Sequence, residues 1–538
     1  MKYGFVIDNR KCIGCHACTT ACKSEHEVPV GVNRTWVKQV EKGTFPDARR
    51  LFSVMRCNHC TDAPCVEICP TESLYIREDG IVDFDKDRCI GCKSCMQACP
   101  YDALYIDPET HTAAKCNYCA HRVDIGLEPA CVNVCPEHAI ISGDMEDPES
   151  EIAQLLSRQP VKTRKPEKAT VPNLFYIDAD DVSLIPSSTE PTNTSLWGSQ
   201  SHGVGHFAKE AEKIAFSNTD LVAHLVEANK GYETKEGKVK SPRTVEVVMD
   251  KAKQVYNTPD KGILWGWEVS AYVWTKAISA GMILVPMLGL IMGKIELNSN
   301  LWFTSAIMGI VFLTLTGILL IMDLDQPKRF AYVLLRPHWG SWLVKGGYAI
   351  TIYGGLLTLI GVNQYIDLST FMPVVMGTTG IIAVVVAIYT AFLFAQAKGR
   401  DFWQSPTLSI HMLVHSFMAG ISMFYLLSLA FSISNDFMAY LRLATISFIA
   451  INLFTMLIEL TTTHPTQDAK TVVSMILKGR YKMSFWLGVI FIGNLIPLAL
   501  VIVAGGSALF GLAGALMLIG IYFNNHIWVE APQRIPLS

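Results

Sequence analysis

All sixteen cysteines of the protein lie in four short stretches, and each stretch carries four of them. The first stretch, "KCIGCHACTTACK", carries Cys12, Cys15, Cys18 and Cys22. The other three carry, in sequence order, Cys57, Cys60, Cys65, Cys69; Cys89, Cys92, Cys95, Cys99; and Cys116, Cys119, Cys131, Cys135. Cysteines grouped in this way can bind iron-sulfur clusters, bind zinc or form disulfides. The spacing within each stretch distinguishes between these chemistries.

The third stretch, "CIGCKSCMQACP", has the spacing of bacterial ferredoxins, with gaps of two, two and three residues followed by proline. In that pattern three thiolates bind one [4Fe-4S] cluster and the fourth thiolate binds a second cluster. The second stretch has four residues in its middle gap and the fourth stretch has eleven, which we interpret as loop insertions. Four such stretches therefore predict four [4Fe-4S] clusters.

The alternative chemistries fit this spacing poorly. Structural zinc sites usually combine two CxxC pairs around one ion and do not use a CxxCxxC triple. Disulfides would require every cysteine of a tight loop to find a partner within about 7 Å between Cα atoms. The spacing leaves open which stretches exchange their fourth cysteine, and three pairings are possible.

Between the second and third stretches, "SLYIREDGIVDFDKD" predicts two short strands around an Asp79-Gly80 hairpin turn.

The order of the four stretches, together with "RCNHC", "REDGIV", "RCIGCKSCMQACPYDA" and "KCNYCAHR", resembles the four-cluster electron-transfer subunits of the dimethyl sulfoxide reductase and polysulfide reductase families. The resemblance covers residues 1 to about 178. It implies that the first stretch pairs with the fourth and the second with the third. We name the resulting ligand sets quartet one (Cys12, Cys15, Cys18, Cys135), quartet two (Cys22, Cys116, Cys119, Cys131), quartet three (Cys57, Cys60, Cys65, Cys99) and quartet four (Cys69, Cys89, Cys92, Cys95).

The second half of the sequence has the composition of a membrane protein. Half of all residues in the protein are hydrophobic and only 17% are charged, which is low for a soluble protein. Eight apolar stretches have about the length that a bilayer-spanning helix needs. They are residues 267–292, 301–323, 342–362, 373–396, 408–431, 439–460, 485–504 and 506–528. Because only a Gly-Gly pair separates the last two, seven spans are the alternative.

Residues 146–260 connect the two halves and are rich in Ser, Thr, Pro, Lys and Glu. Such a composition predicts an extended linker, with some helix in "HFAKEAEKIAF" and "TVEVVMDKAKQVY". The predicted fold is therefore an α+β double ferredoxin-like domain in residues 1–145, the linker, and an all-α integral membrane bundle of about eight helices in residues 261–538.

The distribution of basic residues predicts the orientation in the membrane. With eight spans both termini lie on one side, and the loops on that side contain "DQPKRFAYVLLRPHWGS", "AKGRDFWQSP" and "THPTQDAKTVVSMILKGRYKMS". The loops on the opposite side offer only Lys294 and Arg442. The positive-inside rule therefore places the cluster domain on the cytoplasmic side of the inner membrane. The first residues lack the apolar core of a signal peptide, which agrees with this orientation.

Polar side chains inside apolar spans often mark function, because burying them in lipid costs free energy. At about 100° per residue, Glu268, Tyr272 and Lys276 share one face of the first span, and His411 and His415 share a face of the fifth. Glu268 could equally cap its helix, and the two histidines could be a packed polar pair. The candidate quinone-binding residues are Glu268, Tyr272, Lys276, Asp323, His411, His415, Glu459 and His526. Tyr272 is the strongest single candidate. Haem ligation by His411 and His415 is a minor alternative and no haem is expected; c-type haem attachment is excluded because no CxxCH follows the cluster domain.

The membrane half resembles a second family. "WGWEVSAYVWTKAISAGMIL" and "DLDQPKRFAYVLLRPHWGSWLVKGGYAI" are similar to the NrfD-type quinone-interacting anchor of polysulfide reductases, which is usually a separate polypeptide. The two resemblances imply an electron-transfer and anchor subunit that connects a molybdopterin catalytic subunit to menaquinone or ubiquinone. No Rossmann, flavin or P-loop motif is present, and no nucleic-acid partner is expected. The alternative is a stand-alone ferredoxin:quinone oxidoreductase or an ion-translocating redox module.

Overall fold

A computed structural model of the protein describes residues 1–43, 47–191, 252–295, 299–366, 370–431, 433–503 and 506–538. The described strands are β1 (Tyr3–Asp8), β2 (Thr35–Lys42), β3 (Arg49–Arg56), β4 (Leu74–Ile76), β5 (Val82–Phe84), β6 (Leu104–Ile106), β7 (Ala113–Lys115), β8 (Ile140–Asp144), β9 (Val161–Lys162), β10 (Leu174–Ile177), β11 (Glu190–Pro191) and β12 (Lys253–Tyr256). The helices among them are α1 (Ala17–Glu25), α2 (Pro64–Glu67), α3 (Ser94–Ala98), α4 (Ala120–Val123), α5 (Ala130–Asn133), α6 (Glu151–Arg158) and α7 (Asp181–Leu184).

Two four-stranded sheets hold the cysteine-bearing loops of the N-terminal domain, with strand orders β8-β1-β10-β9 and β11-β12-β2-β3. Two small hairpins, β4-β5 and β6-β7, lie between the cysteine stretches. The first of these is the predicted hairpin, with Gly80 in the left-handed region at φ 78°. The domain is thus the expected α+β fold, and its strands end where the cysteine loops begin.

The structure differs from the predicted boundary at residue 145. β10 pairs in parallel with β1, and α6 packs on the same sheet, so residues 151–177 belong to the folded domain. The predicted helix in "TVEVVMDKAKQVY" is wrong at its described end, because Lys253–Tyr256 is β12 and pairs with β2. An open edge of β2 offers backbone hydrogen bonds that outweigh the helical pattern of this segment. The helix predicted in "HFAKEAEKIAF" lies outside the described residues.

The described part of the C-terminal half contains eight helices long and apolar enough to cross a membrane, as predicted. We number them span 1 (Trp267–Ile291), span 2 (Ser299–Met322), span 3 (Trp342–Val362), span 4 (Met372–Gln396), span 5 (Thr407–Leu427), span 6 (Asn435–Thr461), span 7 (Ser484–Val503) and span 8 (Ser507–Glu530). Two shorter helices, α8 (Tyr332–Leu335) and α9 (Gln467–Leu477), lie in the connections. The first twelve residues of span 7 form a π-helix, Ser484–Leu495.

Spans 1 and 5 lie at the centre of the bundle and cross at two glycines. A Cβ atom on Gly281 would lie 2.0 Å from the carbonyl oxygen of Ser416, and one on Gly420 would lie 2.3 Å from the carbonyl oxygen of Gly281. Small residues let helix backbones approach this closely in membranes. The crossing therefore fixes span 1 against span 5, which carries both predicted histidines.

We expect Gly281→Leu to prevent assembly of the bundle. The new side chain meets backbone rather than a movable side chain, so the free energy cost should exceed the overpacking range of about 1–3 kcal/mol. The measurement is the fraction of detergent-extracted protein that elutes as a monodisperse peak. Gly355→Leu is the matched control, because nothing lies within 4 Å of a Cβ at that position. Equal yields of the two variants would contradict the crossing.

Hydrogen bonds, most of them buried, join the cluster domain to the membrane bundle. Gln97 donates through Nε2 to Oε1 of Gln533 at 2.6 Å and accepts at its own Oε1 from Nε of Arg400 at 2.9 Å. The same oxygen of Gln533 accepts from the backbone N–H of Trp265 at 3.0 Å. Arg329 donates to the carbonyl oxygen of Cys89 at 3.1 Å. The basic loops after spans 2 and 4 thus lie on the side of the bundle that bears the cysteines.

Candidate functional site

Two of the four quartets surround cavities of their own. Quartet one lines a cavity of about 340 Å³ that also contacts His16 and Val54. Quartet three lines a second cavity, of about 300 Å³, against Pro64 and Tyr101. In both cases the fourth cysteine comes from the partner stretch that the resemblance implied. The first-with-fourth and second-with-third arrangement is therefore the one that the fold brings together.

The other two quartets are also assembled across the same stretches. Cys22 lies beside Cys116, Cys119 and Cys131. Cys95 lies beside the other members of its set, Cys69, Cys89 and Cys92. Most of the sixteen cysteines are buried: twelve are buried, Cys12, Cys92 and Cys135 are half-buried, and Cys15 is exposed. The quartets thus lie mostly in the interior of the domain.

The geometry of the quartets distinguishes clusters from single ions. No disulfide joins any of the sixteen cysteines. Within the described ranges, no three side chains of His, Cys, Asp or Glu are close enough to hold one metal ion. Zinc needs its sulfur ligands about 2.3 Å from a common centre, whereas a cube of iron and sulfide holds its four thiolates farther apart. Among the described residues, the quartets are therefore not arranged around a single ion.

Burial also determines the chemistry of the thiols themselves. It raises the pKa of the Cys57 thiol to about 11, although nearby Lys115 favours the thiolate. The thiolate is the form that binds a metal, and a free thiol with this pKa stays protonated at neutral pH. A bound cluster would take the place of that proton. Cluster removal should therefore return this quartet to neutral thiols rather than leave charges in the core.

The quartets follow one another through the domain. Cys18 of quartet one is close enough to Cys131 of quartet two to interact electrostatically. Cys116 of quartet two neighbours Cys57 of quartet three in the same way, and Cys65 of quartet three neighbours Cys95 of quartet four. Quartet one thus lies at the exposed end of the domain. Quartet four lies at the other end, against the membrane bundle.

Three connections hold quartet four to the membrane half. Trp265, just before span 1, donates through its indole nitrogen to the carbonyl oxygen of Cys92 at 3.1 Å. A ring nitrogen of His338 donates to the carbonyl oxygen of Cys69 at 2.8 Å. Gly91 has a φ of 69°, and a Cβ there would lie 2.7 Å from the Cβ of Asp325. Only glycine allows the cysteine loop and the loop after span 2 to approach this closely.

Stacked aromatic rings continue inward from quartet four. The Trp265 ring stacks on Phe394 and on Trp403, each at 5.5 Å between ring centroids. Phe394 also stacks on Trp403 at 4.7 Å. Trp403 donates through its indole nitrogen to the carbonyl oxygen of Trp528 at 2.8 Å. Phe394 and Trp528 both line a cavity inside the bundle, so a short packed path joins Cys92 to that cavity.

The cavity has a volume of about 290 Å³ and lies between spans 1, 4, 5 and 8; we name it the histidine cavity. Its lining is Val273, Phe394, Leu408, His411, Met412, His415, Asn524, Asn525, Trp528 and Val529. Both histidines are almost wholly buried, at 2% and 3% exposure. A mostly apolar cavity with a few polar groups is typical of a small-molecule site.

Hydrogen bonds determine which ring nitrogen of each histidine carries a proton. Asn524 donates through Nδ2 to Nε2 of His411 at 3.1 Å, so the proton of His411 sits on Nδ1. That nitrogen lies 3.5 Å from Oε2 of Glu459. The same carboxylate oxygen accepts from the Trp528 indole at 3.2 Å. His415 donates through Nδ1 to Oδ1 of Asn525 at 3.3 Å.

Three buried polar atoms of this group have no partner among the described residues. They are Oε1 of Glu459, Oδ1 of Asn524 and Nδ2 of Asn525. Both asparagines line the cavity, and leaving such groups unpaired costs about 1–3 kcal/mol each. A ligand that both accepts and donates hydrogen bonds would satisfy them.

Tyr272 and Lys276 are not part of the lining of the histidine cavity, although their neighbour Val273 lines it. Lys276 donates to Oγ1 of Thr390 at 2.6 Å and lies 4.4 Å from the centre of the Tyr389 ring. The hydroxyl of Tyr272 is also within hydrogen-bonding reach of Thr390. The predicted shared face of span 1 therefore packs on span 4.

The remaining three candidates lie near the cluster side of the bundle. Glu268 is half-buried in the first turn of span 1. Asp323 follows span 2, and its carbonyl oxygen accepts from the Lys93 ammonium at 3.1 Å. Burial raises the pKa of the Asp323 carboxyl to about 7, and Glu268 adds to that effect. His526 is not part of the cavity lining and pairs with Glu530 at 2.8 Å.

Comparison with known proteins agrees with this division into two halves. A family profile described as "Polysulphide reductase, NrfD" matches residues 256–533, which is more than half of the sequence. This chain is a member of the NrfD family. Two profiles described as "4Fe-4S dicluster domain" match residues 11–74 and 48–145. The protein thus joins an iron-sulfur subunit to an NrfD anchor in one polypeptide.

Three relatives of the iron-sulfur half are named as components of reductases. The protein is 46% identical to a tetrathionate reductase subunit of Salmonella typhimurium over 189 residues, which cover 34% of this sequence and 76% of that protein. It is 45% identical to a polysulfide reductase chain of Wolinella succinogenes over 181 residues, covering 33% and 94%. Arsenate respiratory reductase iron-sulfur subunit ArrB of a Shewanella species is 34% identical over 225 residues, covering 33% and 96%.

Proposed function

We propose that this NrfD-family protein is the electron-transfer and anchor subunit of a molybdopterin oxidoreductase complex, passing electrons between a catalytic subunit and the membrane quinone pool. The observation that carries the proposal is the packed path from Cys92 through Trp265 and Phe394 to the histidine cavity. This path puts a cluster ligand and a polar membrane cavity within a few side chains of each other. Three relatives that are named as reductase subunits support the same assignment.

The sixteen cysteines are proposed to hold four [4Fe-4S] clusters in the order of quartets one to four. When bound, such clusters supply a row of one-electron carriers. The two ends of this row differ in their exposure to solvent. Cys15 and Ile13 are exposed at quartet one, with Ile13 at 56% exposure, and offer a contact surface for the catalytic subunit. Quartet four is covered by the membrane half.

The histidine cavity is proposed to hold the quinone head group. The free Nδ2 of Asn525 can donate to a quinone carbonyl oxygen, and the free Oδ1 of Asn524 can accept from a quinol hydroxyl. Phe394 and Trp528 supply flat apolar walls for the ring. The two free asparagine atoms thus match both redox forms of the ligand.

Quinone reduction requires two protons as well as two electrons, and the same residues can move protons. His411 holds its proton on Nδ1, facing Glu459, and the Glu459 carboxylate has one oxygen without a described partner. A histidine beside a carboxylate is suited to general acid and base catalysis. We therefore assign His411 and Glu459 to proton transfer and His415 to positioning Asn525.

The cluster domain is proposed to face the cytoplasm, because the basic loops that contact it would then obey the positive-inside rule. A reporter active only in the periplasm should be silent when fused after Ser538 and active when inserted after Lys294. The reverse pattern would place the clusters outside and require export of the domain.

The function itself can be tested on the purified protein in lipid vesicles. Reduced viologen, which donates electrons to exposed clusters, should support quinone reduction without a catalytic subunit. The rate should depend on protein concentration and should disappear after cluster destruction. Failure of iron-loaded protein to reduce any quinone would contradict the proposal.

A further inference from the structure

Arg56, the last residue of β3, is wholly buried next to the cysteines of quartet two. Its Nη1 donates to the sulfur of Cys131 at 3.1 Å. The guanidinium lies 4.4 Å from the centre of the Phe5 ring, which closes its other side. Cys18 of quartet one is also close enough to Arg56 to interact with it electrostatically. Arg56 thus lies between quartets one and two.

No described carboxylate balances this charge. The groups that favour the charged form of Arg56 are cysteines, and its Nε and Nη2 have no hydrogen-bond partner among the described residues. An unpaired charge in a protein interior costs several kcal/mol. Cluster-bound thiolates are the negative charge that this position lacks. The position of Arg56 therefore suits quartet two with a bound cluster better than quartet two without one.

A second buried cation, Lys115, lies between quartets two and three. Lys115 is wholly buried, and its ammonium donates to the carbonyl oxygen of Cys116 at 2.9 Å. The same lysine lies near Cys57 of quartet three. Lys115 thus contacts the backbone of quartet two, whereas Arg56 donates directly to one of its sulfurs.

We propose that Arg56 raises the reduction potential of the cluster held by quartet two. Reduction adds one electron, and so one negative charge, beside the guanidinium, while no bond forms or breaks. A fixed cation in a low-dielectric interior stabilises the reduced form more than the oxidised form. Arg56 is accordingly a tuning residue that makes quartet two a favoured position for an electron. The proposal rests on the cluster assignment and requires neither a quinone nor a catalytic subunit.

The test is a redox titration followed by low-temperature EPR on the purified full-length protein. Arg56→Gln and Arg56→Met should each lower one midpoint potential. The equilibrium constant for reduction should fall at least about tenfold, which corresponds to about 59 mV for a one-electron couple. Arg56→Lys keeps the charge and should shift the potential by less than half as much. Arg10→Met, which removes a half-exposed arginine paired with Asp8, should leave all potentials unchanged.

Iron and acid-labile sulfide are measured on every variant. If Arg56→Met loses its cluster, the proposal is tested by comparing the midpoint potentials of Arg56→Lys and Arg56→Gln. Equal potentials in those two variants overturn the proposal, and so does loss of the cluster in all three, which would make Arg56 purely structural. A wild-type protein with fewer than four clusters would instead count against the cluster assignment of the proposed function.

Discussion

His411→Leu should reduce viologen-driven quinone turnover by about 100-fold or more while leaving all clusters in place. The variant removes the Nδ1 proton that faces Glu459 and the Nε2 acceptor of Asn524. General acid and base groups contribute about 10²–10⁴-fold to rates, which sets the expected size of the loss. The measurement is steady-state quinone reduction in vesicles, with iron content and EPR confirming intact clusters.

Two control variants locate the effect. His526→Leu removes a histidine that pairs with Glu530 outside the cavity, and it should keep most of the turnover. Tyr272→Phe removes a hydroxyl on the face of span 1 that packs on span 4, and it should also keep most of the turnover. If Tyr272→Phe abolishes turnover and His411→Leu does not, the head group binds beside Tyr272 and the cavity assignment is wrong.

Cys95→Ser should abolish quinone turnover by removing the cluster next to the membrane. Cys95 lies with the other three members of quartet four, so its loss should lower the iron content from about sixteen to about twelve atoms per protein molecule. The remaining three clusters should still be reduced by dithionite, yet turnover should fall to the background of protein-free vesicles.

Met96→Leu is the matched control for that variant, because it changes a buried neighbour of Cys95 with nearly the same volume. It should retain both the iron content and the turnover. Normal quinone reduction by Cys95→Ser protein that contains three clusters would show that electrons reach the quinone by a route that bypasses quartet four.

The parts of the structure that local spacing controls could be predicted from the sequence. The hairpin at Gly80 and the eight spans depend on short patterns of turn and apolar residues, and the structure confirms both. The boundary at residue 145 was wrong because pairing of β10 with β1 joins residues far apart in the sequence. No local pattern reports such a pairing.

The membrane site could be predicted only in part. Helical periodicity correctly grouped His411 with His415, but it could not say which other span each face would meet. Periodicity therefore offered no reason to separate Tyr272 from the histidines. Trp265 and Phe394 were missed because aromatic residues are common near membrane surfaces, and their role depends on stacking in three dimensions.

The most direct test of the proposed function is a single-turnover experiment on the wild-type protein. The protein is reduced anaerobically in vesicles, freed of reductant and mixed with a quinone while the cluster absorbance is recorded. We predict rapid recovery of the oxidised cluster spectrum, with two electrons lost from the protein for each quinol formed, and slow recovery in His411→Leu. Clusters that stay reduced in the wild-type protein would contradict the claim that this molecule connects its iron-sulfur half to the quinone pool.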